Sequence, residues 1–186
     1  MNTKMIATGL AAAAFALLFT GKAHAQEYQT AHDVWNFNNA PNSAWFFGGN
    51  AGYDVNKGFG YGSFPNDVWA NNWQKNVWNS VNVEFTPGVA AWGGDTTTCT
   101  VTAEIQTSAN FVNGIVDVWN IKNGALGAQL GQDYFGASEN YNEVSYTFNV
   151  SASSGTVLLD FGFWGTGTPQ WMRVADVTAT CWNFND

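Results

Sequence analysis

The feature that most constrains this chain is a set of segments in which apolar and polar residues alternate with a period of two. Cys99, Val101, Ala103 and Ile105 are interleaved with Thr100, Thr102, Glu104 and Gln106. Val144, Tyr146, Phe148 and Val150 are interleaved with Ser145, Thr147 and Asn149, and Val157, Leu159, Phe161 and Phe163 with Leu158, Asp160, Gly162 and Trp164. Successive side chains of a β-strand point to opposite faces, so each segment has one face for a core and one for solvent or a ligand. Residues 115–121 read as a further strand, apolar on both faces apart from Asp117, and residues 81–85 as another, closed by Thr86-Pro87-Gly88. No window keeps a helical apolar period for more than a couple of turns, so helix is a minor component. Several short strands in one domain-sized chain predict an all-β fold, a two-sheet antiparallel β-sandwich.

Turn signals separate these strands: Asn113-Gly114, Asn123-Gly124, Ser154-Gly155 and Gly165-Thr166-Gly167. Asn123-Gly124 and Ser154-Gly155 are placed as hairpin connections, and the glycine loop at 165–167 reads as the tip of a last hairpin. Residues 36–79 are rich in Asn, Gly and aromatics with weak alternation, and read as long loops and short strands wrapped by aromatic packing. Within them Gly58-Phe59-Gly60-Tyr61-Gly62 matches no phosphate loop and lacks a strand-to-helix context, which leaves it a surface loop.

The first residues carry Lys4, an apolar run, Lys22 and then Ala23-His24-Ala25, the pattern of a secretory signal peptide spanning 1–25. Residues 26–186 then form a single β-sandwich domain of a secreted or periplasmic protein. The apolar run is short for a membrane span, and no later segment is apolar enough for one. Residues 26–186 keep four basic side chains (Lys57, Lys75, Lys122, Arg173) against all 14 acidic ones, a formal charge of −10. Nucleic acid and anionic membrane both require clustered Lys and Arg, so neither is an expected partner. Nothing in the sequence encodes the oligomeric state. Cys99 and Cys181 both fall in the exported part, where two cysteines pair as a disulfide.

The last strand is written unusually. Met172 and Val174 point to one face and Trp171, Arg173 and Ala175 to the other, but beyond Asp176 the apolar set moves to Val177, Ala179 and Cys181. A change of parity of this kind is what a one-residue bulge does to a strand. It turns Cys181 toward the same core as Cys99, so the pattern and the disulfide support one another.

Catalytic chemistry is sparse. His32 is the one histidine beyond residue 25 and falls in what reads as a frayed N-terminal tail, which leaves no partner for a serine or cysteine nucleophile. Glu104, Asp117 and Asp160 lie on strands, where outward carboxylates are ordinarily solvated, and the acidic triple of jelly-roll glucanases (E-x-D-x-x-E or similar) is absent.

The run Phe161-Gly162-Phe163-Trp164-Gly165, followed by residues 170–180, resembles the closing strands of carbohydrate-binding modules with the galactose-binding-domain-like jelly roll. The last strand of that family reads apolar-Arg-apolar-x-Asp-Val-x-apolar, and Met172-Arg173-Val174-Ala175-Asp176-Val177-Thr178-Ala179 matches it here. The resemblance covers roughly residues 95–182. It implies a structural calcium ion held by the last-strand Asp176 and by an acid near residue 26. This chain departs from the pattern there, because the segment reads Trp35-Asn36-Phe37-Asn38-Asn39 and offers Asn38, an amide oxygen without the charge.

The resemblance also implies sugar binding by aromatic side chains. Pyranose C–H faces lie flat on indole and phenol rings while amides, carboxylates and guanidinium groups bond the hydroxyls. The candidates are Trp164, Trp171, Arg173, Trp119, Asp117 and Gln170, with Tyr134 and Trp73 beyond them; most of the ten tryptophans are packing. The implied function is secreted, non-catalytic recognition of a polysaccharide or other glycan. Its alternative is a structural or adhesive sandwich whose Trp119, Trp164 and Trp171 are buried or scattered. A jelly-roll glycosidase or lyase would instead need two of Glu104, Asp117 and Asp160 to face one another, one of them with a raised pKa.

Overall fold

The computed structural model describes residues 26–37, 42–54, 67–88, 96–151 and 155–185. Residues 1–25, which read as a signal peptide in the sequence, Asn38 and the glycine loop at 58–62 lie outside these residues. The described chain is a succession of strands with no helix: β1 (Gln26–Trp35), β2 (Trp45–Gly48), β3 (Ala51–Asp54), β4 (Asp67–Asn72), β5 (Trp78–Phe85), β6 (Thr97–Thr107), β7 (Gly114–Lys122), β8 (Ala125–Phe135), β9 (Asn142–Val150), β10 (Thr156–Trp164) and β11 (Gln170–Asn185). They form two antiparallel sheets. One runs β3-β4-β11-β6-β9, with β1 also paired to β11, and the other runs β2-β5-β10-β7-β8. Strands β4 to β7, and again β9 to β11, alternate between the sheets, which is the jelly-roll way of burying two apolar faces against each other.

The alternating segments place their apolar sets between the sheets. Cys99, Val101, Ala103 and Ile105 of β6 face Val157, Leu159, Phe161 and Phe163 of β10, and all are buried. Val81 and Val83 of β5, Val116 and Val118 of β7, and Met172 and Val174 of β11 complete the centre. A slip of one residue in any of these strands would turn its whole apolar set to solvent, so the alternation fixes register as well as face.

β11 contains the expected bulge. Ala175 pairs with Glu104 but Thr178 pairs with Thr102, so the strand carries one extra residue there. Asp176 takes up the excess at φ 46°, and Val177, Ala179 and Cys181 then return to the core. The same point is where β11 changes neighbours along its other edge, from β4 as far as Val174 to β1 from Val177 onward. Cys181 lies directly opposite Cys99 in the β6–β11 register, and the two form a disulfide with their Cα atoms 4.0 Å apart.

Three expectations are corrected. Residues 26–35 are not a frayed tail but a ten-residue strand on β11, where the His32 ring nitrogen Nδ1 and the Thr180 hydroxyl share a hydrogen bond of 2.9 Å. Backbone pairing holds this strand, helped by Ala31 and Trp35, which pack against the core. The loop at 165–167 does not close a hairpin, because β10 and β11 belong to different sheets, and the same holds for the connection through Gly155 between β9 and β10. Asn123-Gly124 does close one: both residues have positive φ (55° and 74°), as a two-residue hairpin turn requires, between Lys122 and Ala125.

Candidate functional site

The outer face of the five-stranded sheet collects polar and aromatic side chains in rows set by the strand register. A central row crosses all five strands: Phe46 on β2, Asn82 on β5, Asp160 on β10, Asp117 on β7 and Gln132 on β8. The next row toward one end is Gly48, Ser80, Gly162, Ile115 and Tyr134, and the row beyond it pairs Trp78 with Trp164. In the other direction lie Glu84, Leu158, Trp119 and Gln129. Trp164 and Trp119 are thus six residues apart along the strands, about 20 Å.

The aromatic end depends on a glycine. A Cβ on Gly162 would come within 2.2 Å of the Trp78 ring, so the absent side chain lets that indole lie across β10. Trp78 then supports Trp164, with ring centroids 5.4 Å apart and planes inclined by 55°. Trp164 itself is 56% exposed, at the end of its strand. It borders a cleft of about 460 Å³ with Tyr134, Ile115, Val112 and Lys75.

The polar rows are tied together. Gln129 Nε2 donates to Asp117 Oδ1 at 2.6 Å and to Gln132 Oε1 at 2.8 Å, and Gln132 Nε2 donates to the Tyr134 hydroxyl at 2.6 Å. Asn82 Nδ2 donates to Ser80 Oγ at 3.0 Å. Asp160 and Asp117 face each other across β10 and β7, an arrangement that penalises two like charges. Burial pushes the Asp160 carboxyl up to about 7, with Asp117 adding to the rise and hydrogen bonds from Ser80 and Trp78 opposing it. Burial also raises Asp117, against the hydrogen bond from Gln129.

The candidate residues divide between the two sheets. Trp164, Trp119 and Asp117 share this face, and Tyr134 joins them. Trp171 and Arg173 lie on the outer face of the opposite sheet, since β11 pairs with β4 and β6. There Arg173 Nη1 donates to Asp67 Oδ2 at 2.8 Å, the Tyr141 hydroxyl donates to the same oxygen at 2.7 Å, and the guanidinium lies 6.0 Å from the Trp171 ring. Burial, then the neighbouring Asp67, holds the Tyr141 phenol above its ordinary range. Gln170 is buried and donates to the Asn110 carbonyl at 2.6 Å, an internal tie. Trp164 and Trp171 are therefore not neighbours, because the loop between them crosses from one sheet to the other.

Sequence reasoning did not single out Trp78, Ser80, Asn82, Gln129 or Gln132. Asn82 was within reach, since it falls on the outward parity of a strand recognised at 81–85. The glutamines were not, because β8 is exposed on both sides and shows no alternation.

Asp176 is exposed at the bulge beside Trp35, whose strand mate is Val177. Among the described residues no three His, Cys, Asp or Glu side chains gather as metal ligands. Asp176 offers one carboxylate there, and its expected partner Asn38 lies outside the described residues.

The architecture is the jelly-roll β-sandwich found in carbohydrate-binding modules and in adhesin domains. The chain is similar to the K1 cleaved adhesin domain of Lys-gingipain from Porphyromonas gingivalis, at 11% identity and a TM-score of 0.51 over 80% of this chain and 97% of that one. It is similar to the CBM22-1 xylan-binding domain of Paenibacillus barcinonensis Xyn10C, at 13% identity and a TM-score of 0.50 over 86% and 97%. It also matches the CBM22-1–GH10 modules of Clostridium thermocellum endo-1,4-β-D-xylanase 10B complexed with xylohexaose, at 14% identity and a TM-score of 0.51 over 83% of this chain and 28% of that one. No protein-family model and no curated protein matches the chain.

Proposed function

We propose that this is an exported protein that binds an uncharged polysaccharide without chemically altering it, using the outer face of the five-stranded sheet. One observation carries the reading: an exposed Trp164, backed by Trp78, shares its sheet face with rows of amide, hydroxyl and carboxyl groups. The indole supplies an apolar platform for a sugar ring, and the Asn82, Gln129, Gln132, Tyr134 and Asp117 side chains supply hydroxyl partners. Its length suits a chain of several rings. The signal-peptide pattern and the disulfide suit an oxidising compartment, and the fold shared with xylan-binding modules supports a glycan ligand.

The facing Asp117 and Asp160 meet the two conditions of the hydrolase reading, proximity and a raised carboxyl. One feature weighs against it: the Asp160 Oδ1 atom is buried without a hydrogen-bond partner, and a general acid must reach the glycosidic oxygen. Glu104 lies on β6, in the other sheet, and takes no part in the pair.

Native affinity electrophoresis against a panel of neutral and acidic polysaccharides that includes xylan tests the proposal. Retardation by a neutral glycan is expected, weakened at least about tenfold in Trp164→Ala, equivalent to ~1.4 kcal/mol. Trp171→Ala, on the opposite sheet, should migrate as the wild type does. Equal loss in both variants, or no retardation by any glycan, would favour the structural or adhesive alternative.

A further inference from the structure

A second pocket lies outside this face, between the β2–β3 turn and the β4–β5 loop. It has a volume of about 310 Å³ and is lined by Trp73, Asn50, Asn71 and Gln74, with Val77 and the backbone of Gly49. This size falls at the lower end of the roughly 300–1,000 Å³ typical of small-molecule sites. Trp73 is 57% exposed, as open as Trp164.

The frame around it is fixed. Asn79 Oδ1 accepts the Asn50 N–H at 2.6 Å, and the Asn50 carbonyl accepts the Asn71 N–H at 2.8 Å. Gly49 has φ 73°, and a Cβ there would meet Asn79 Oδ1 at 2.0 Å, so only glycine lets the turn close on that asparagine. Asn72 staples the other wall: its Oδ1 accepts the Gln74 N–H at 2.9 Å and its Nδ2 donates to the Val77 carbonyl at 2.6 Å. The same loop is anchored to the β10–β11 loop by Asn76 N–H to Gly165 O at 2.8 Å and Gly165 N–H to Val77 O at 2.9 Å.

Two buried asparagines are thus spent on holding the walls, while the Asn50 and Gln74 side chains remain exposed beside the indole. A large aromatic ring held in water by a stapled loop gains nothing for folding. Its ordering cost is already met before a ligand arrives. Among the described residues no titratable side chain lines the pocket, which suits an uncharged ligand. The amides offer both donors and acceptors, which selects a polyhydroxylated one, and the indole selects one with an apolar face.

We propose that the Trp73 pocket is a second carbohydrate subsite, sized for a single neutral sugar ring and distinct in every lining residue from the Trp164 face. The domain then grips two stretches of glycan at once and cross-links long chains.

The test follows indole and side-chain amide NMR signals of the ¹⁵N-labelled protein during titration with xylohexaose, cellohexaose and mannohexaose, together with turbidity on mixing with the parent polysaccharides. Shifts of the Trp73 indole and of the Asn50 and Gln74 amides are expected with at least one sugar. Trp73→Ala or Gln74→Ala should weaken that titration at least about tenfold while leaving the Trp164 shifts in place. Trp73→Ala should also abolish turbidity without abolishing retardation in affinity electrophoresis. Both side chains are exposed, so neither variant threatens folding. Shifts at Trp164 without Trp73 overturn the second subsite and leave the sheet face standing. Shifts at Trp73 without Trp164 do the reverse, and no shift at either overturns both.

Discussion

Asp160 illustrates how much a single residue can hold at stake. It sits on the central strand of its sheet, faces Asp117, and has its carboxyl raised from the ordinary 3.8 to about 7, first by burial. An acid whose pKa is raised by folding binds its proton more tightly in the native state than in the unfolded one. Stability therefore falls as pH climbs from about 4 to about 7 and levels off above, and each pKa unit is worth ~1.4 kcal/mol. The whole effect is bounded at about 4 kcal/mol, and the raised Asp117 acts in the same direction. Asp160→Asn keeps the shape and removes the titration. Its melting temperature should exceed the wild-type value above pH 7 and lose most of the slope below it. A variant with the wild-type slope would show that the pH dependence arises elsewhere.

At the scale of an element, β11 shows why some of this fold was legible and some was not. Its bulge could be read because burial is enforced on both sides of it: Met172 and Val174 before, Val177 and Ala179 after, with the phase change fixed at Asp176. The disulfide followed from the same phase. β1 and β8 left no such trace, since only a few of their residues, Ala31 and Trp35 in β1 and Leu130 and Phe135 in β8, pack on the core, too few to write an alternation. Trp171 and Arg173 fall on the opposite sheet from Trp164 for a related reason. A short glycine loop looks the same locally whether it turns a hairpin or crosses between sheets, and only the partners of β10 and β11 decide which. The bulge itself makes a prediction. Asp176 occupies φ 46°, a conformation that costs most residues ~1–2 kcal/mol and glycine nothing. Asp176→Gly should leave the melting temperature close to wild type and Asp176→Val should lower it. If Asp176→Gly proves as damaging as Asp176→Val, the carboxylate is holding something, and a melting curve with added calcium and with a chelator becomes the next measurement.

On the proposed reading, the whole molecule separates support from recognition. The six-stranded sheet carries the disulfide, the bulge and the Asp67–Tyr141–Arg173 cluster, while the five-stranded sheet carries the open aromatic and amide face. Charge distinguishes what such a face accepts. Residues 26–186 have a formal charge of −10, and the basic side chains are four in all, so the net field of the protein opposes a polyanion. An uncharged glycan feels no such field, because its contacts are stacking and hydrogen bonds at short range. Raising the salt from low ionic strength to ~1 M shrinks the Debye length to about 3 Å and silences surface charge without touching those contacts. Binding of a neutral polysaccharide should therefore change less than about twofold across that range, an amount worth under ~0.5 kcal/mol. An affinity that climbs steeply with salt would instead identify an acidic glycan held against the protein's own charge, and one that collapses would place Lys75, at the mouth of the Trp164 cleft, in the contact.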